Sequence, residues 1–256
     1  MVIGMQNNNS DRFARLRLLV KDEGLKRLSD STVMVIGLGG VGSSCAEALA
    51  RGGVGKLILI DQDKVEASNI NRQALAFTST IGQVKAEVMA KMVHEINPEC
   101  QVYSEQIALD SDNTASTLSA YPRPDYVIDC IDTVLAKLSL IEWCATEELP
   151  LLSAMGAGNK LDPSQLQFAY IEKTFNCLLA KAVRKECRKK GIRGVEVLFS
   201  KELPIKVELE DDSVKGRALG TMSYMPPIMG QMLAGKVLRR LLGFETKARN
   251  VKFIGR

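Results

Sequence analysis

The sequence predicts an α/β protein with a Rossmann-like, mostly parallel sheet, helices on both faces and a mixed extension of the sheet towards the C-terminus. Three observations predict this class. Apolar runs typical of strands alternate with helical patterns over the first 155 residues. A glycine-rich turn follows the first run and precedes a helical pattern. Two strand-like runs in the second half flank a basic helical segment.

The elements of the first half are predicted from apolar periodicity and helix-ending signals. Residues 11–28 indicate two short helices that break near Gly24. Four apolar residues recur at every fourth position of a helix over 83–97, namely Val84, Val88, Met92 and Ile96. The other predicted strands are 31–36, 56–61, 101–107, 125–130 and 150–155, and the other predicted helices are 43–51, 113–119 and 136–147.

In the second half, strands are predicted over 166–172 and 195–200, on either side of the basic segment 181–193. The polar, turn-rich residues that follow indicate an exposed crossing loop over 201–220. A helix over 226–243 begins with two prolines, which the first turn of a helix tolerates. Four methionines near its start recur at helical spacing and are expected in the core or in a dimer interface: Met222, Met225, Met229 and Met232.

Composition excludes several classes of protein. The apolar content of 46% and charged content of 25% are typical of a globular domain. No run of eighteen apolar residues predicts a membrane span, and the N-terminus lacks the pattern of a secretory signal. The six cysteines form no CxxC pair, which argues against a zinc site and favours reduced thiols in a cytoplasmic protein.

The glycine-rich turn has the pattern of a nucleotide-binding site. Gly37, Gly39 and Gly42 fit G-x-G-x-x-G between a predicted strand and a predicted helix. Such glycines allow backbone N–H groups at a helix N-terminus to approach phosphates. Asp61 ends the next strand, nineteen residues after Gly42, where a carboxylate accepts a hydrogen bond from a ribose hydroxyl. These residues indicate an adenine nucleotide but do not distinguish NAD from ATP.

The residues after Asp61 favour ATP. Asn69 and Arg72 lie just beyond the second strand, and Lys85 opens the following helix. Hydride transfer needs no such cations, whereas adenylation must stabilise charge on the departing pyrophosphate. Asp132 follows a sheet strand, where ligand crevices form, and is the candidate magnesium ligand. Asp129, inside the same strand, is the less favoured alternative.

Four ordered segments resemble the ubiquitin-activating-enzyme-like superfamily: GLGGVGSSCAEALARGGVG, DQDKVEASNINRQ, GQVKAE and DCIDTVLAK. The resemblance implies that Asp61 binds ribose, that Asn69, Arg72 and Lys85 contact the phosphates, and that Asp132 holds Mg²⁺. The remaining residues of the implied ATP site are Gly37, Gly39, Gly40, Gly42, Asp63 and Gln73. The resemblance also implies a homodimer in which Arg12 and Arg15 reach the partner's ATP.

The second half resembles one subfamily, the tRNA threonylcarbamoyladenosine dehydratases, through SAMGAGNKLDPSQL, IEKTFNCLLAKAVRKECRKKGI and LGTMSYMPPIMGQMLAGKVLRRLLG. The resemblance implies that ATP activates the threonyl carboxylate of the modified adenosine beside the anticodon. The side chain's own nitrogen or oxygen then closes a ring, and AMP and pyrophosphate leave. The crossing loop contains no cysteine, as an intramolecular attack allows.

The resemblance makes the chain one ThiF-type adenylation domain over 11–256, after a disordered, asparagine-rich segment over 1–10. Residues 11–155 would form the nucleotide-binding half and residues 156–256 the tRNA half. It also implies a loop that coordinates Na⁺ or K⁺ through backbone carbonyls of Met155, Gly156 and Ala157, for which a simple turn is the alternative.

Basic residues cluster in the second half. Eight Lys or Arg and a single acid lie between Lys173 and Arg193, although the net charge of the chain is only +4. Such a cluster favours contact with tRNA phosphates, and a solvated helix face is the alternative. The candidate tRNA-binding residues are Lys181, Arg184, Lys185, Arg188, Lys189 and Lys190.

Three other functions remain as alternatives to the dehydratase. They are an activator of a ubiquitin-like sulfur-carrier protein, a sulfur acceptor working with a cysteine desulfurase, and an NAD-dependent oxidoreductase. Cys177 and Cys187 are the candidate thiols of a sulfur acceptor, because neighbouring Lys and Arg residues favour a thiolate. The lone histidine, His94, is expected to be structural or on the surface.

Overall fold

The computed structural model describes residues 11–207, 219–246 and 251–253. The expected disorder of residues 1–10 and the middle of the expected crossing loop therefore lie outside the described residues. Among the described helices, none is long and apolar enough to cross a membrane.

A seven-stranded sheet with the order β3-β2-β1-β4-β5-β8-β6 forms the centre of the molecule. Strands β1 to β5 and β8 pair in parallel, and β6 pairs antiparallel with β8. The bounds are β1 Thr32–Ile36, β2 Lys56–Ile60, β3 Gln101–Glu105, β4 Tyr126–Asp129, β5 Leu151–Ala154, β6 Leu166–Tyr170 and β8 Glu196–Ser200. Two short strands, β7 Ile192–Arg193 and β9 Lys252–Phe253, form a separate antiparallel pair. The predicted Rossmann-like sheet with a mixed extension is confirmed.

Helices cover both faces of the sheet because side chains alternate along each strand. Val33 and Val35 of β1 belong to the core beneath α2, α3 and α7. Met34 and Ile36 belong to the opposite core, beneath α5 and α6. The helices are α1 Ala14–Asp30, α2 Gly40–Arg51, α3 Lys85–Ile96, α4 Thr114–Leu118, α5 Val134–Thr146, α6 Leu178–Lys189 and α7 Met225–Leu241.

Two predicted helix boundaries are wrong. The break in α1 lies at Lys21, whose φ of 61° is left-handed, and not near Gly24. Helix α2 begins at Gly40 rather than at residue 43, because part of the glycine motif is already helical. The motif therefore supplies both the turn and the first turn of the helix, so its amide N–H groups face the end of the sheet.

Candidate active site

The carboxyl ends of the central strands open into a cavity of about 620 Å³. Its walls come from the glycine turn after β1, the segment after β2, the start of α3 and the segments after β4 and β5. This is the edge at which parallel α/β sheets bind ligands. Ten of the residues expected to bind ATP line the cavity: Gly37, Gly39, Gly40, Asp61, Asp63, Asn69, Arg72, Gln73, Lys85 and Asp132.

At two positions of the motif, only glycine fits, because a Cβ would collide with the neighbouring backbone. Gly37 has a φ of +85°, and a Cβ there would lie 2.8 Å from the carbonyl oxygen of Cys130. A Cβ on Gly42 would lie 1.7 Å from the carbonyl oxygen of Gly37. Gly42 does not line the cavity, so its contribution is the close packing of α2 against the turn. Gly39 and Gly40 line the cavity and form the backbone of the cradle.

Asp61 lies directly after β2, and its carboxylate accepts hydrogen bonds from the backbone N–H groups of Leu38 and Asp63. Burial raises the pKa of this carboxyl, and the two backbone donors oppose that shift. These hydrogen bonds fix the carboxylate at the cavity wall. Lone pairs remain on both oxygens, so the carboxylate can still accept hydrogen bonds from hydroxyl groups of a ligand.

Lys85 and Asp63 form an ion pair in the cavity, with 3.0 Å between Nζ and Oδ2. The backbone N–H of Lys85 also donates to the carbonyl of Asp63. The lysine side chain is only 6% exposed, whereas the aspartate side chain is 54% exposed. The start of α3 therefore holds a buried ammonium whose one partner among the described residues faces solvent.

A 3₁₀ turn over Ala67–Asn69 positions the next polar residues. The Asn69 side-chain oxygen accepts from the backbone N–H of Glu66 at 3.1 Å. Arg72 Nη1 donates to the carbonyl of Ser68 and to Asn71 Oδ1, each at 2.9 Å. The guanidinium is thus held on one side, while its other N–H groups remain available for an anion.

Gln73 is buried at the cavity wall, near the glycine cradle. Its Oε1 has no hydrogen-bond partner within the described part of the chain. A buried polar atom without a partner is costly, so such atoms mark places where a ligand or water completes the structure. The glycine backbone and the cations offer donors to the phosphates of a nucleoside triphosphate, whereas this amide oxygen can only accept a hydrogen bond, from a hydroxyl group or water.

Asp129 and Asp132 occupy contrasting environments. Asp129 is fully buried at the end of β4, 2.8 Å from Lys137 Nζ. It also accepts from Ser153 Oγ at 2.6 Å and from the backbone N–H of Ile131 at 3.0 Å. Asp132 is exposed and lines the cavity. Asp129 is therefore committed to the fold, and of the two carboxylates only Asp132 faces the cavity.

Lys137 and Lys160 are buried, and neither was among the residues predicted from the sequence. Lys137 directs its ammonium to Asp129, Ser153 and the carbonyl of Ala154, which uses all three of its protons. Lys160 donates to the carbonyls of Asn176 and Glu202 and thereby ties three segments together. Burial lowers the pKa of Lys160. A charged residue at a core-facing position of apolar helix α5 was the signal that could have revealed Lys137.

The loop expected to hold a monovalent cation also borders the cavity. Met155, Gly156 and Ala157 all line it. Gly156 approaches Cys177, whose Sγ would lie 3.5 Å from a Cβ at that glycine. Among the described residues there is no cluster of three His, Cys, Asp or Glu side chains that could hold a metal ion.

Arg12 and Arg15 do not line the cavity of their own chain. Arg12 Nη1 donates to the carbonyl of Ile96, at the end of α3, over a distance of 2.7 Å. Both arginines are exposed. Their expected contact with the ATP of a partner subunit stays a prediction.

Helix α6 starts at the cavity, where Leu179 forms part of the wall. Its inner face carries Ala180, Val183 and Cys187, which are buried. Its outer side carries the exposed cations Lys181, Lys185, Arg188, Lys189 and Lys190. Arg184 is half-buried, and its Nη1 donates to the carbonyl and hydroxyl of Thr174.

Three of the six cations are thus partly engaged within the chain. Besides Arg184, Lys189 lies 2.7 Å from Glu186, and Lys190 lies 2.9 Å from Glu142. Among the described residues, no acid lies within ion-pair distance of Lys181, Lys185 or Arg188, although, besides the hydrogen bond from Lys189, the charge of Lys185 helps to lower the pKa of Glu186. These three are the most available for an anionic partner.

The two candidate thiols differ in environment. Cys177 is the N-cap of α6, and its Sγ accepts from the backbone N–H of Ala180 at 3.4 Å. Burial raises the pKa of the Cys187 thiol to about 12. Cys187 is also only 1% exposed, so neither its thiolate fraction nor its access favours sulfur transfer there. All six cysteines are free.

Comparison with known proteins defines the class. The model of the ThiF family matches residues 12–255, and the chain belongs to this family. The chain is 42% identical over 244 residues to tRNA threonylcarbamoyladenosine dehydratase of Bacillus subtilis, covering 90% of this chain and 94% of that protein.

Two solved structures of a dehydratase are similar in fold to this chain. A crystal structure of E. coli tRNA N6-threonylcarbamoyladenosine dehydratase in complex with ATP has a TM-score of 0.82 at 33% identity, covering 94% of this chain and 98% of the other. The structure of the same enzyme in complex with AMP has a TM-score of 0.83 at 33% identity, covering 95% and 98% of the two chains.

Proposed function

We propose that this chain is an ATP-dependent dehydratase that cyclises threonylcarbamoyladenosine in tRNA. The observation that carries the proposal is the cavity, which gathers the glycine cradle, Arg72, Lys85 and Asp132 at the start of a basic helix. The likeness to dehydratases over nearly the whole chain supports this substrate.

The distribution of donors and acceptors around the cavity supports one orientation for the proposed ATP. The amide N–H groups at the start of α2 and the side chains of Arg72 and Lys85 offer donors to the phosphates. Asp61, on the other side of the turn, accepts from the ribose hydroxyls. Asn69, Asp63 and Gln73 complete the polar wall, and Gly37, Gly39, Gly40 and Gly42 give the backbone room for close approach.

Two steps complete the reaction. An oxygen of the threonyl carboxylate attacks the α-phosphorus of ATP, and the bond to pyrophosphate breaks. The nitrogen or oxygen of the same side chain then attacks the activated carbonyl, and AMP leaves with the former carboxylate oxygen. Arg72 and Lys85 stabilise the charge that develops on the departing pyrophosphate. The ring closure is intramolecular and requires no enzyme thiol.

Asp132 is the proposed magnesium ligand, because it is the exposed carboxylate at the cavity after β4. Mg²⁺ would neutralise phosphate charge and assist the departure of pyrophosphate. The proposed site for Na⁺ or K⁺ is the backbone of Met155, Gly156 and Ala157, which borders the same cavity.

The proposed tRNA partner rests on the basic surface of α6, and the other proposed partners rest on the family resemblance. The exposed cations of α6 would bind tRNA phosphates in a salt-dependent manner. A homodimer would bring Arg12 and Arg15 to the partner's ATP. A cysteine desulfurase system is a further proposed partner, with Cys177 as the better placed thiol. The substrate and the six free cysteines support a cytoplasmic location.

The test is to incubate the protein with ATP, Mg²⁺ and tRNA that carries threonylcarbamoyladenosine. We expect the modified nucleoside to lose the mass of one water while AMP and pyrophosphate appear. Unmodified tRNA serves as the control and should release no AMP. Pyrophosphate exchange that depends on a carrier protein, without loss of nucleoside mass, would instead favour the sulfur-carrier activator.

A further inference from the structure

Two leucines project into solvent beside the cavity. Leu135 is 81% exposed on the first turn of α5, and Leu178 is 78% exposed on the first turn of α6. Their sequence neighbours Ala136 and Leu179 line the cavity. We call Leu135 and Leu178 the apolar rim. A contiguous exposed apolar patch marks a place where a partner docks, whereas a single exposed apolar residue needs no partner.

The two helices lie side by side. Both contribute buried side chains to the same core. Lys190 after α6 pairs with Glu142 of α5 at 2.9 Å. Since both helices start at the cavity, the two leucines lie at the same end of this pair. The rim is therefore part of the cavity entrance rather than two scattered surface residues.

The outer face of α6 changes character with distance from the cavity. Leu178 is followed three and seven residues later by Lys181 and Lys185, which lie on the same side of a helix. Arg188 continues this row. The face is thus apolar at the cavity entrance and cationic farther away.

We propose that the apolar rim contacts the nucleobases that flank the modified adenosine in the tRNA loop. The inference rests on the proposed function and names how that site recognises its substrate. An enzyme that acts on a base moves the base out of its stack, which exposes the faces of its neighbours. Leucine side chains act as apolar wedges against such faces in other complexes.

The charge pattern of α6 favours RNA as the molecule that contacts the apolar rim. A nucleotide chain whose target base enters the cavity has its flanking bases at the entrance and its phosphates farther out. The order of Leu178, Lys181 and Lys185 along α6 matches this arrangement. Apolar protein partners would leave the cations beside Leu178 unpaired, whereas phosphates pair with them.

The test compares Leu178→Ser with Leu19→Ser, since both leucines are 78% exposed and Leu19 lies on α1. The affinity for modified tRNA is measured over a salt series, and ATP binding and oligomer mass are measured in parallel. We expect Leu178→Ser to weaken tRNA binding by about 10-fold, with the salt dependence unchanged. Leu135→Ser should act similarly, and Leu19→Ser should bind as the wild type does.

The double variant Lys181→Gln, Lys185→Gln should instead change the salt dependence of tRNA binding. This variant should reduce the slope of log affinity against log salt by about 0.7 to 0.9 for each lysine. Wild-type tRNA affinity in Leu178→Ser would overturn the proposal. A lower oligomer mass in this variant would also overturn it, because it would assign Leu178 to an interface between copies of the chain. Failure of the wild type to dehydrate tRNA would refute the proposed function separately, since the affinities are measured without turnover.

Discussion

Asp129 and Asp132 are three residues apart. Substitution by Asn should lower stability at Asp129 and lower activity at Asp132. Asp129 is fully buried with Lys137, and its oxygens accept from Ser153 and the backbone N–H of Ile131. Asp132 is exposed at the cavity wall. The first carboxylate therefore supports the fold, and the second is the one proposed to serve the reaction.

The magnitudes follow from burial. Asp129→Asn leaves the ammonium of Lys137 buried without a counter-charge, which costs about 3–5 kcal/mol. At roughly 2–4 °C per kcal/mol for a chain of this size, Tm should fall by about 6–20 °C. Asp132→Asn removes an exposed charge, and its effect on unfolding should stay within about 0.5 kcal/mol. Its rate of AMP release should fall by about 10²–10³-fold, as for loss of one transition-state contact.

The assay combines thermal unfolding with AMP release from modified tRNA on the same preparations. Lys137→Met with Asp129→Asn is the matched control, because it removes both buried charges and should recover part of the lost stability. An Asp129→Asn protein as stable as the wild type, or an Asp132→Asn protein with wild-type turnover, would refute the reasoning.

Three further predictions concern the cavity and α6. Arg72→Ala and Lys85→Ala should each reduce AMP release by at least about 10²-fold while tRNA affinity changes little, and retained turnover in both would contradict the proposed phosphate contacts. Burial raises the pKa of Asp61, and its carboxylate is the proposed acceptor for the ribose hydroxyls, so ATP affinity should fall with decreasing pH before an ordinary Asp would protonate. The pKa is raised because protonation removes the charge of a buried carboxylate. A pH titration of ATP binding checks this prediction, with Asp61→Asn as the control that lacks the titrating carboxyl. Glu substitutions at Lys181 and Lys185 should weaken tRNA binding and flatten its salt dependence, which a filter-binding series would measure.

The central strands β1, β2, β4 and β5 were predictable because each is a mostly apolar run buried in a parallel sheet, whereas the edge strand β3 was predicted from alternation. Helix boundaries were less predictable where local signals conflict with tertiary contacts. Gly40 and Gly42 indicate a turn by composition, yet they are helical because α2 packs closely against the glycine turn. The break at Lys21 is a single left-handed residue, for which the sequence carries no glycine or asparagine signal.

Ten of the predicted ATP residues line one cavity. The carboxyl ends of parallel strands lie at one edge of the sheet, so Asp61 after β2 and Asp132 after β4 could be placed at that edge without a structure. Lys137 and Lys160 could not be assigned so directly, since their partners Ser153 and Glu202 are distant in sequence. The engagement of Arg184 with Thr174 likewise depends on tertiary packing.

The fate of the carboxylate oxygen tests the central claim, adenylation of the tRNA substrate, most directly. Modified tRNA labelled with ¹⁸O in the threonyl carboxylate is incubated with the enzyme, ATP and Mg²⁺, and the released AMP and pyrophosphate are analysed by mass spectrometry. The proposed reaction predicts one ¹⁸O atom in AMP and none in pyrophosphate. AMP without the label, or label in pyrophosphate, would contradict activation of this carboxylate at the α-phosphorus.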